Sequence, residues 1–330
     1  MSTQYDVVGI GNAIIDVLAQ STDAFLSQEN IAKGGMTLIN ADRAQSLYDA
    51  MGPAIETSGG SAANTIAGCA GLGVNGGFIG RVRDDQLGEV YIHDIRSVGI
   101  DFTNPPAQDG MPTARCLIIV TPDGQRSMST FLGASTELGV SDLDEAMIAA
   151  SAITYMEGYL WDKEPAKRAF KRAMDVAKGA DRKVALTLSD AFCVDMHRAE
   201  FLQLIDGQVD ILFANEAEIM SLYETTEFDA AIAAIRGKLE TVAITRSEKG
   251  AIILTGDETA EVAAEPVDKV VDTTGAGDQF AAGFLAGLSQ GRSGAVAGRM
   301  GAIAAAEVIS HIGPRPQADI KQLITDALTL

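Results

Sequence analysis

The run Asp272-Thr273-Thr274-Gly275-Ala276-Gly277-Asp278 contains the residues of this sequence that are best suited to chemistry. Apolar residues then recur at helical spacing, which predicts a helix that begins near Gly275; they are Phe280, Phe284, Leu285 and Leu288. The first N–H groups of a helix have no partner within it, and small residues let an anion approach them. Gly275, Ala276 and Gly277 are therefore predicted to form a backbone anion hole for a phosphoryl group.

Asp278 directly follows the predicted anion hole. A carboxylate in this place can accept the proton of an attacking hydroxyl while the backbone amides stabilise the developing charge. We therefore interpret Asp278 as the general base of a phosphoryl transfer to an alcohol. The competing interpretation is structural, because an acidic residue is favourable in the first turn of any helix and the glycines then serve close packing.

A second run, Ser58-Gly59-Gly60-Ser61-Ala62-Ala63-Asn64, is predicted to open another helix of small residues. Gly59 and Gly60 allow backbone N–H groups to lie against a ligand. Asn64, on the first turn, can both donate and accept hydrogen bonds. The alternative is an ordinary loop with a serine cap.

Three more polar residues are candidate ligands of a substrate. Asn12 and Asp16 share one face of a predicted strand, where Asp16 can accept the protons of two hydroxyls of a polyol. Arg126 lies in a predicted hairpin and can reach a phosphate. A solvent-facing aspartate and an exposed arginine are the simpler interpretations of the same residues.

Asn215 and Glu218 are three residues apart, directly after a predicted strand at 209–213. This is the spacing of a helix capping box, which is the interpretation that the two residues favour by themselves. The functional alternative is an acidic site that orders Mg²⁺ through water near a transferring phosphate. The two interpretations are compatible.

The order of predicted elements indicates an α/β fold. From residue 151 onward strands and helices alternate, which predicts a mainly parallel sheet flanked by helices. The segments around 12–40 and 100–131 do not fit the alternation and predict a small second sheet. In the latter, Pro122-Asp123-Gly124 between two strand-like runs predicts a hairpin. No linker divides the chain, so residues 1–330 are expected to form one domain.

Composition excludes several classes of protein. The formal charge of 25 − 45 = −20, without a basic block, is unsuited to binding nucleic acid or an anionic membrane surface. No stretch is apolar enough for a membrane span, and the N-terminus does not resemble a signal peptide. Three distant cysteines indicate no disulfide framework. We expect a soluble cytoplasmic protein.

Glycine is unevenly distributed, and one of its motifs suggests a different class of enzyme. Residues 59–88 hold nine glycines and residues 272–301 hold eight, half of the total of 34. These clusters coincide with the two runs described above. Gly9–Ile14 begins like a dinucleotide fingerprint, but Ile14 replaces the third glycine and a strand-like run follows, which argues against a nicotinamide site.

Three strings together resemble the ribokinase/PfkB family of carbohydrate and nucleoside kinases; they are DTTGAGD (272–278), GGSAAN (59–64) and FIGRVRDDQLGE (78–89). The resemblance extends from Gly11 to about Gly313. It implies a ribokinase-like, Rossmann-type core with a small β lid formed from the segments around 12–40 and 100–131. It also implies phosphorylation of a hydroxymethyl group with ATP and Mg²⁺.

The resemblance also implies roles for individual residues. Asp278 matches the family's catalytic base and Gly275–Gly277 its anion hole, while Arg126 matches a lid arginine that approaches the phosphates. The residues that match the sugar-binding positions are Asn12, Asp16, Gly59, Gly60 and Asn64.

Further positions match nucleotide and metal sites of the family. Asn215 and Glu218 match its NxxE magnesium motif. Thr245, Ser247 and Gly250 lie where the family has a nucleotide-binding turn, although the middle of that turn is charged here. Asp272 and Thr274 occupy positions where many members bind a monovalent cation, which adds K⁺ to the candidate cofactors.

The acceptor is left open between two classes. GNAIIDV (11–17), TLSDAF (187–192) and VDILFANEAE (209–218) resemble adenosine kinases more than ribokinase, which favours the primary hydroxyl of a nucleoside, adenosine above all. The alternative is a sugar kinase acting on ribose, fructose or a related sugar acid. A non-catalytic sensor on the same fold is opposed by the intact Asp278 and Gly275–Gly277. We expect a monomer or a homodimer.

Overall fold

Strands and helices alternate along residues 3–328, the part of the chain that this computed structural model describes. The strands are β1 (Tyr5–Ile10), β2 (Ile14–Gln20), β3 (Met36–Leu38), β4 (Ile55–Gly59), β5 (Gly76–Ile79), β6 (Ala114–Val120), β7 (Arg126–Phe131), β8 (Ser151–Glu157), β9 (Lys183–Thr187), β10 (Ile211–Asn215), β11 (Thr241–Thr245), β12 (Ala251–Thr255) and β13 (Glu258–Val262).

The α-helices are α1 (Asp23–Gln28), α2 (Ala41–Ala50), α3 (Ser61–Gly71), α4 (Gln86–Ser97), α5 (Glu145–Ala149), α6 (Glu164–Gly179), α7 (Ala191–Gly207), α8 (Glu216–Leu222), α9 (Phe228–Ile235), α10 (Ala276–Ser289), α11 (Gly294–Ile309) and α12 (Ile320–Leu328). Each of them is too short or too polar to cross a bilayer, as far as residues 3–328 are concerned.

Eight strands form the large sheet, in the order β13-β12-β11-β10-β9-β8-β1-β5. The pairs from β11 to β5 are parallel, whereas β12 and β13 add an antiparallel edge. Its strands are buried on both faces: Val7 packs into one hydrophobic cluster and its neighbour Val8 into the other. Parallel strands bury both faces in this way because helices cover both sides. The predicted α/β core is confirmed.

Five strands form the small sheet, in the order β3-β7-β6-β2-β4. The predicted hairpin is present as β6 and β7. The predicted segments were incomplete, because β4 at Ile55–Gly59 lies outside them. Its sequence, IETSG, has little apolar character to alternate, and β13 (ETAEV) was missed for the same reason.

Helix α7 contains an interruption. It begins at Ala191, and Asp190 caps it by accepting from the Cys193 N–H. His197 interrupts it with a non-helical φ of −124°. The three cysteines are all buried and free of disulfides.

Glycines allow α10 to approach two other helices closely. A Cβ at Gly68 of α3 would lie 2.6 Å from the Cβ of Ala282, and one at Gly283 would lie 2.5 Å from the carbonyl oxygen of Met300 in α11. Neither distance leaves room for a methyl group. The position of α10, and with it the position of Asp278, therefore depends on small residues far along the helix from the carboxylate.

Replacing Gly283 with alanine should lower the free energy of unfolding by about 1–3 kcal/mol, because the added methyl must push α11 away from α10. Urea unfolding followed by circular dichroism measures this loss. Gly179→Ala is the matched control, since a Cβ there meets nothing within 4 Å at the end of α6. Equal stability of Gly283→Ala and the wild type would contradict this account of the packing.

Candidate active site

The predicted anion hole lies at the start of α10. Gly275 is the N-cap residue, in the left-handed conformation with φ of +80°, and a Cβ there would lie 2.6 Å from the Pro314 carbonyl oxygen. Ala276 and Gly277 are the first two helical residues. Gly277 is exposed, and a Cβ on it would meet nothing within 4 Å. The N-terminus of a helix of 14 residues therefore faces open space, which is an arrangement that suits a phosphate.

Asp278 connects the beginnings of α10 and α3. Its Oδ1 accepts from the Ser61 hydroxyl at 2.7 Å, and its Oδ2 accepts from Nδ2 of Asn64 at 3.4 Å. Burial raises the pKa of this carboxyl from its ordinary 3.8 to about 6, although these hydrogen bonds favour the charged form. A carboxyl with this pKa is ionised at neutral pH and remains basic enough to accept a proton.

Asp16 lies on the small sheet, and close approach to it requires glycine. A Cβ at Gly59, on the neighbouring strand β4, would lie 2.5 Å from Oδ2 of Asp16. Gly60 has φ of +103°, and a Cβ there would overlap the carbonyl oxygen of Asn12. Burial raises the pKa of Asp16 to about 6, opposed by the charges of Arg315 and Arg126.

Glu157 is a site residue that the sequence analysis missed. It lies at the end of β8, fully buried, and its carboxylate accepts from the backbone N–H groups of Asn12, at 2.8 Å, and Ala62, at 2.7 Å. The Asn12 side chain also donates to it, at 2.5 Å. Burial raises its pKa to about 7. A glutamate that ends an otherwise apolar strand was the available signal, and this residue joins the two loops that carry the candidate ligands.

Arg126 extends from the small sheet to the loop before α10. Its Nη1 donates to the Asp272 carboxylate and, at 3.2 Å, to the Thr274 hydroxyl. Asp272 also accepts from the backbone and hydroxyl of Thr274, and from the N–H of Gly313 at 3.0 Å. The structure thus brings Arg126 to the loop before α10, where its charge is paired with that of Asp272. The Asp272 carboxylate, which was predicted to bind a monovalent cation, forms an ion pair with the guanidinium of Arg126.

Asn215 and Glu218 form a complete capping box at the start of α8. Oδ1 of Asn215 accepts from the Glu218 N–H at 2.8 Å, and Glu218 accepts from the Asn215 backbone at 2.9 Å and its amide at 2.6 Å. Burial raises the pKa of Glu218 to about 7. The capping interpretation is therefore confirmed, and a role in binding Mg²⁺ stays a prediction.

The predicted nucleotide turn lies beside this cap. Thr245 ends β11 and pairs in register with Asn215 of β10. Ser247 and Gly250 both have positive φ, and a Cβ at Gly250 would overlap the carbonyl oxygen of Val262. Arg246 and Lys249 of this turn form ion pairs with Glu216 of α8. The role of the turn in nucleotide binding stays a prediction.

Arg315 is the second site residue that the sequence analysis missed. Its guanidinium donates to Oδ1 of Asn64 at 3.1 Å and to the Ser58 hydroxyl at 2.9 Å, and lies 3.5 Å from Asp94. Arg315 lies in the string HIGPRP (311–316), and nothing near it in sequence indicates that it meets Asn64.

Comparisons with known proteins agree with this geometry. Residues 32–321 match the model of the pfkB family of carbohydrate kinases. The chain belongs to this family. Like its kinase relatives, it is a phosphotransferase with an alcohol group as acceptor.

Two solved structures each cover 98% of this kinase and 99% of their own chains. Adenosine kinase from Sinorhizobium meliloti is 49% identical with a TM-score of 0.89, and a probable sugar kinase from Rhizobium etli is 48% identical with a TM-score of 0.90. Adenosine kinase of Saccharomyces cerevisiae is 26% identical, over 93% of this chain and 96% of its own. These relatives establish the fold of the kinase and leave two classes of acceptor.

The residues present fit the cofactors that the family implies. The start of α10 is open and made of small residues, which leaves room for a phosphate group to approach its N–H groups. Among residues 3–328 no cluster of three or more acidic, histidine or cysteine side chains can hold a metal ion.

Asp278→Asn should make the kinase more stable at pH 8, by about 1 kcal/mol or more, and the gain should shrink at pH 4.5. The pKa of this carboxyl is about 6 in the folded protein and 3.8 in the unfolded chain. As the pH rises, the unfolded chain therefore ionises first, and the free energy of unfolding falls between these two pH values. Asparagine does not ionise, and its amide can keep both partners if its oxygen faces Asn64.

Thermal unfolding of wild type and variant at the two pH values measures this difference. Asp109→Asn, at an exposed loop position, is the control for loss of a negative charge. A variant less stable than the wild type at pH 8 would refute the inference that ionised Asp278 opposes folding.

Proposed function

We propose that this kinase transfers the γ-phosphoryl group of ATP to the primary hydroxyl of a nucleoside, with adenosine as the preferred acceptor. The observation that carries the proposal is the surface of the small sheet around Asp16. It offers one carboxylate for hydroxyls and, directly beside it, an apolar surface of the size of several side chains.

The register of the small sheet defines that surface. Asp16 is level with Cys116 and Thr130 on neighbouring strands. The next row on the same face is apolar across all five strands and is called the apolar row here; it consists of Met36, Met128, Ile118, Leu18 and Ile55. Met36 is 56% exposed and Ile55 66% exposed.

An apolar row beside a hydroxyl-binding carboxylate suits a nucleoside better than a free sugar. The ribose of a nucleoside has hydroxyls for Asp16, and its base has two apolar faces that gain free energy when they leave water. A free sugar has hydroxyls on most of its carbons and gains little from apolar neighbours. The similarity to the Sinorhizobium meliloti enzyme supports the same choice.

Asp278 is proposed to act as the base. In the reaction, ATP supplies the phosphoryl group and Mg²⁺ offsets its charge. Asp278 accepts the proton of the primary hydroxyl as the hydroxyl oxygen attacks the γ-phosphorus, and the bond from that phosphorus to the bridging oxygen breaks so that ADP leaves. The N–H groups at Gly275–Gly277 stabilise the charge on the transferring group. Ser61 and Asn64 hold the carboxylate in place throughout.

The remaining site residues have supporting roles in the proposal. Asn12, Asp16, Gly59 and Gly60 hold the ribose, and the small sheet acts as a lid on a single domain, so that water is excluded from the phosphoryl group. Asn215 and Glu218, with the turn that contains Thr245, Ser247 and Gly250, are proposed to lie on the nucleotide and magnesium side of the site. Asp272 and Thr274 remain the proposed position for K⁺.

Replacing Asp278 with alanine or asparagine should lower kcat by about 10²–10⁴-fold, because the hydroxyl then loses its proton acceptor. The affinity for ATP, measured by calorimetry, should stay within a few-fold of the wild type. Asp109→Asn is again the control. Turnover within about tenfold of the wild type would overturn the proposed mechanism.

A panel of acceptors separates the two classes. Adenosine, inosine, ribose, fructose and a sugar acid are compared by ADP release, and adenosine should give the highest kcat/KM. Leu18→Gln, in the apolar row, should raise KM for the nucleoside by about tenfold, since a polar group replaces an apolar contact worth about 1–2 kcal/mol. Val98→Gln, at an exposed position at the end of α4, is the matched control.

The alternative acceptor has a definite outcome in this panel. Activity on free sugars alone, with Leu18→Gln behaving like the wild type, would refute the nucleoside assignment. That result would favour the sugar-kinase alternative, which the Rhizobium etli structure supports.

A further inference from the structure

Arg315 reaches the active site from the connection between α11 and α12, which is remote in sequence from every other site residue. Its side chain is 19% exposed. The guanidinium donates to Asn64 and Ser58 on either side of the second glycine run, and Asp94 of α4 lies at 3.5 Å. All three partners are side chains of the protein itself.

The connection that carries Arg315 is held at several points. The N–H of Gly313 donates to Asp272, and the carbonyl of Pro314 accepts from the Gln279 side chain at 3.0 Å. The carboxylate of Glu307 accepts from the N–H groups of Gln317 and Ala318, each at 2.9 Å. The backbone around Arg315 is therefore fixed to α10 and α11, and a long side chain from it can be aimed accurately.

The contact with Asn64 decides which way the amide of Asn64 faces. A guanidinium only donates, so Oδ1 of Asn64 must face Arg315 and Nδ2 must face away from it. Nδ2 then donates to Oδ2 of Asp278. With the amide reversed, an oxygen would face the carboxylate and repel it.

We propose that Arg315 is a positioning residue of the phosphoryl transfer: it fixes the orientation of the Asn64 amide and thereby holds Asp278 ready to accept the hydroxyl proton. This inference rests on the proposed role of Asp278 as the base. It goes beyond that role in assigning a function to the connection after α11.

The charge of Arg315 has a second effect on the same carboxylate. It lowers the pKa of Asp278 and of Asp16, both of which burial raises to about 6. Other titratable groups face Asp278 from every side; they are Asp16 on β2, Tyr155 and Glu157 on β8, and Tyr159 after β8. Arg126 acts on Asp16 from β7. Loss of the Arg315 charge should therefore raise the pKa of Asp278 further.

The test compares Arg315→Met, which removes charge and donors, with Arg315→Lys, which keeps the charge and loses the planar fork. Arg315→Met should lower kcat at pH 7 by about tenfold or more, and the acid limb of kcat/KM should move to higher pH. Arg315→Lys should keep the limb near that of the wild type and still have a reduced kcat. Arg81→Met is the matched control, because Arg81 is also 19% exposed and pairs with Asp142.

A double-mutant cycle tests whether Arg315 acts through Asn64. At pH 9, where Asp278 is ionised in all variants, Arg315→Met should reduce kcat in the wild type and have little further effect in Asn64→Ala. Additive losses would overturn the proposal. So would a loss confined to KM, which would mean that Arg315 binds a substrate directly.

A readout without turnover separates this proposal from the proposed function. With ¹³C-labelled aspartate, NMR titration of the carboxyl resonance assigned by Asp278→Asn should show a higher pKa in Arg315→Met than in the wild type, and no change in Arg81→Met. This result can hold even if Asp278→Asn stays active, in which case only the catalytic role fails. If Arg315→Met folds, an unchanged titration together with an unchanged kcat would refute the inference. If Arg315→Met does not fold, Arg315→Lys is tested in its place, and a kcat equal to that of the wild type would refute the inference.

Discussion

The concentration of three carboxylates, from the small sheet, the end of β8 and the start of α10, is the constraint on which the rest of this site depends. Burial raises the pKa of Asp16, Glu157 and Asp278, and the charge of Asp278 raises the pKa values of Asp16 and Glu157 further. Such an arrangement opposes folding unless donors compensate it. Here the donors are backbone N–H groups, helix N-termini and the guanidinium groups of Arg126 and Arg315. In a protein of net charge −20, two of the 25 basic side chains thus lie beside these carboxylates.

Small residues make this compensation possible, because they let backbone rather than side chains surround the carboxylates. Gly59 leaves space for Asp16, Gly60 for the carbonyl of Asn12, and Gly275 for the connection after α11. Gly68 and Gly283 act at a distance, since they set how closely α10 approaches its neighbours. Chemistry and packing are therefore not separable in this fold: the same helix presents Asp278 at its first turn and contacts α11 along its length.

Local chemistry was predictable from the sequence, and contacts between distant segments were not. The run 272–278 predicted the start of α10 because glycine and an acidic residue are characteristic of such a helix start. Glu157 and Arg315 were not predicted as site residues, because nothing near them in sequence indicates that Glu157 contacts Asn12 or that Arg315 contacts Asn64. The polar edge strands β4 and β13 were not predicted either. Their sequences lack the apolar alternation of a strand, and pairing with the backbone of a neighbouring strand determines their conformation.

The ion pair between Arg126 and Asp272 has a consequence for how the site opens. It joins the small sheet to the loop before α10, and both side chains are less than a tenth exposed. Any motion that separates the sheet from the loop must leave two opposite, poorly hydrated charges unpaired until water reaches them. Movement of the small sheet away from the loop is therefore coupled to the hydration of Arg126 and Asp272.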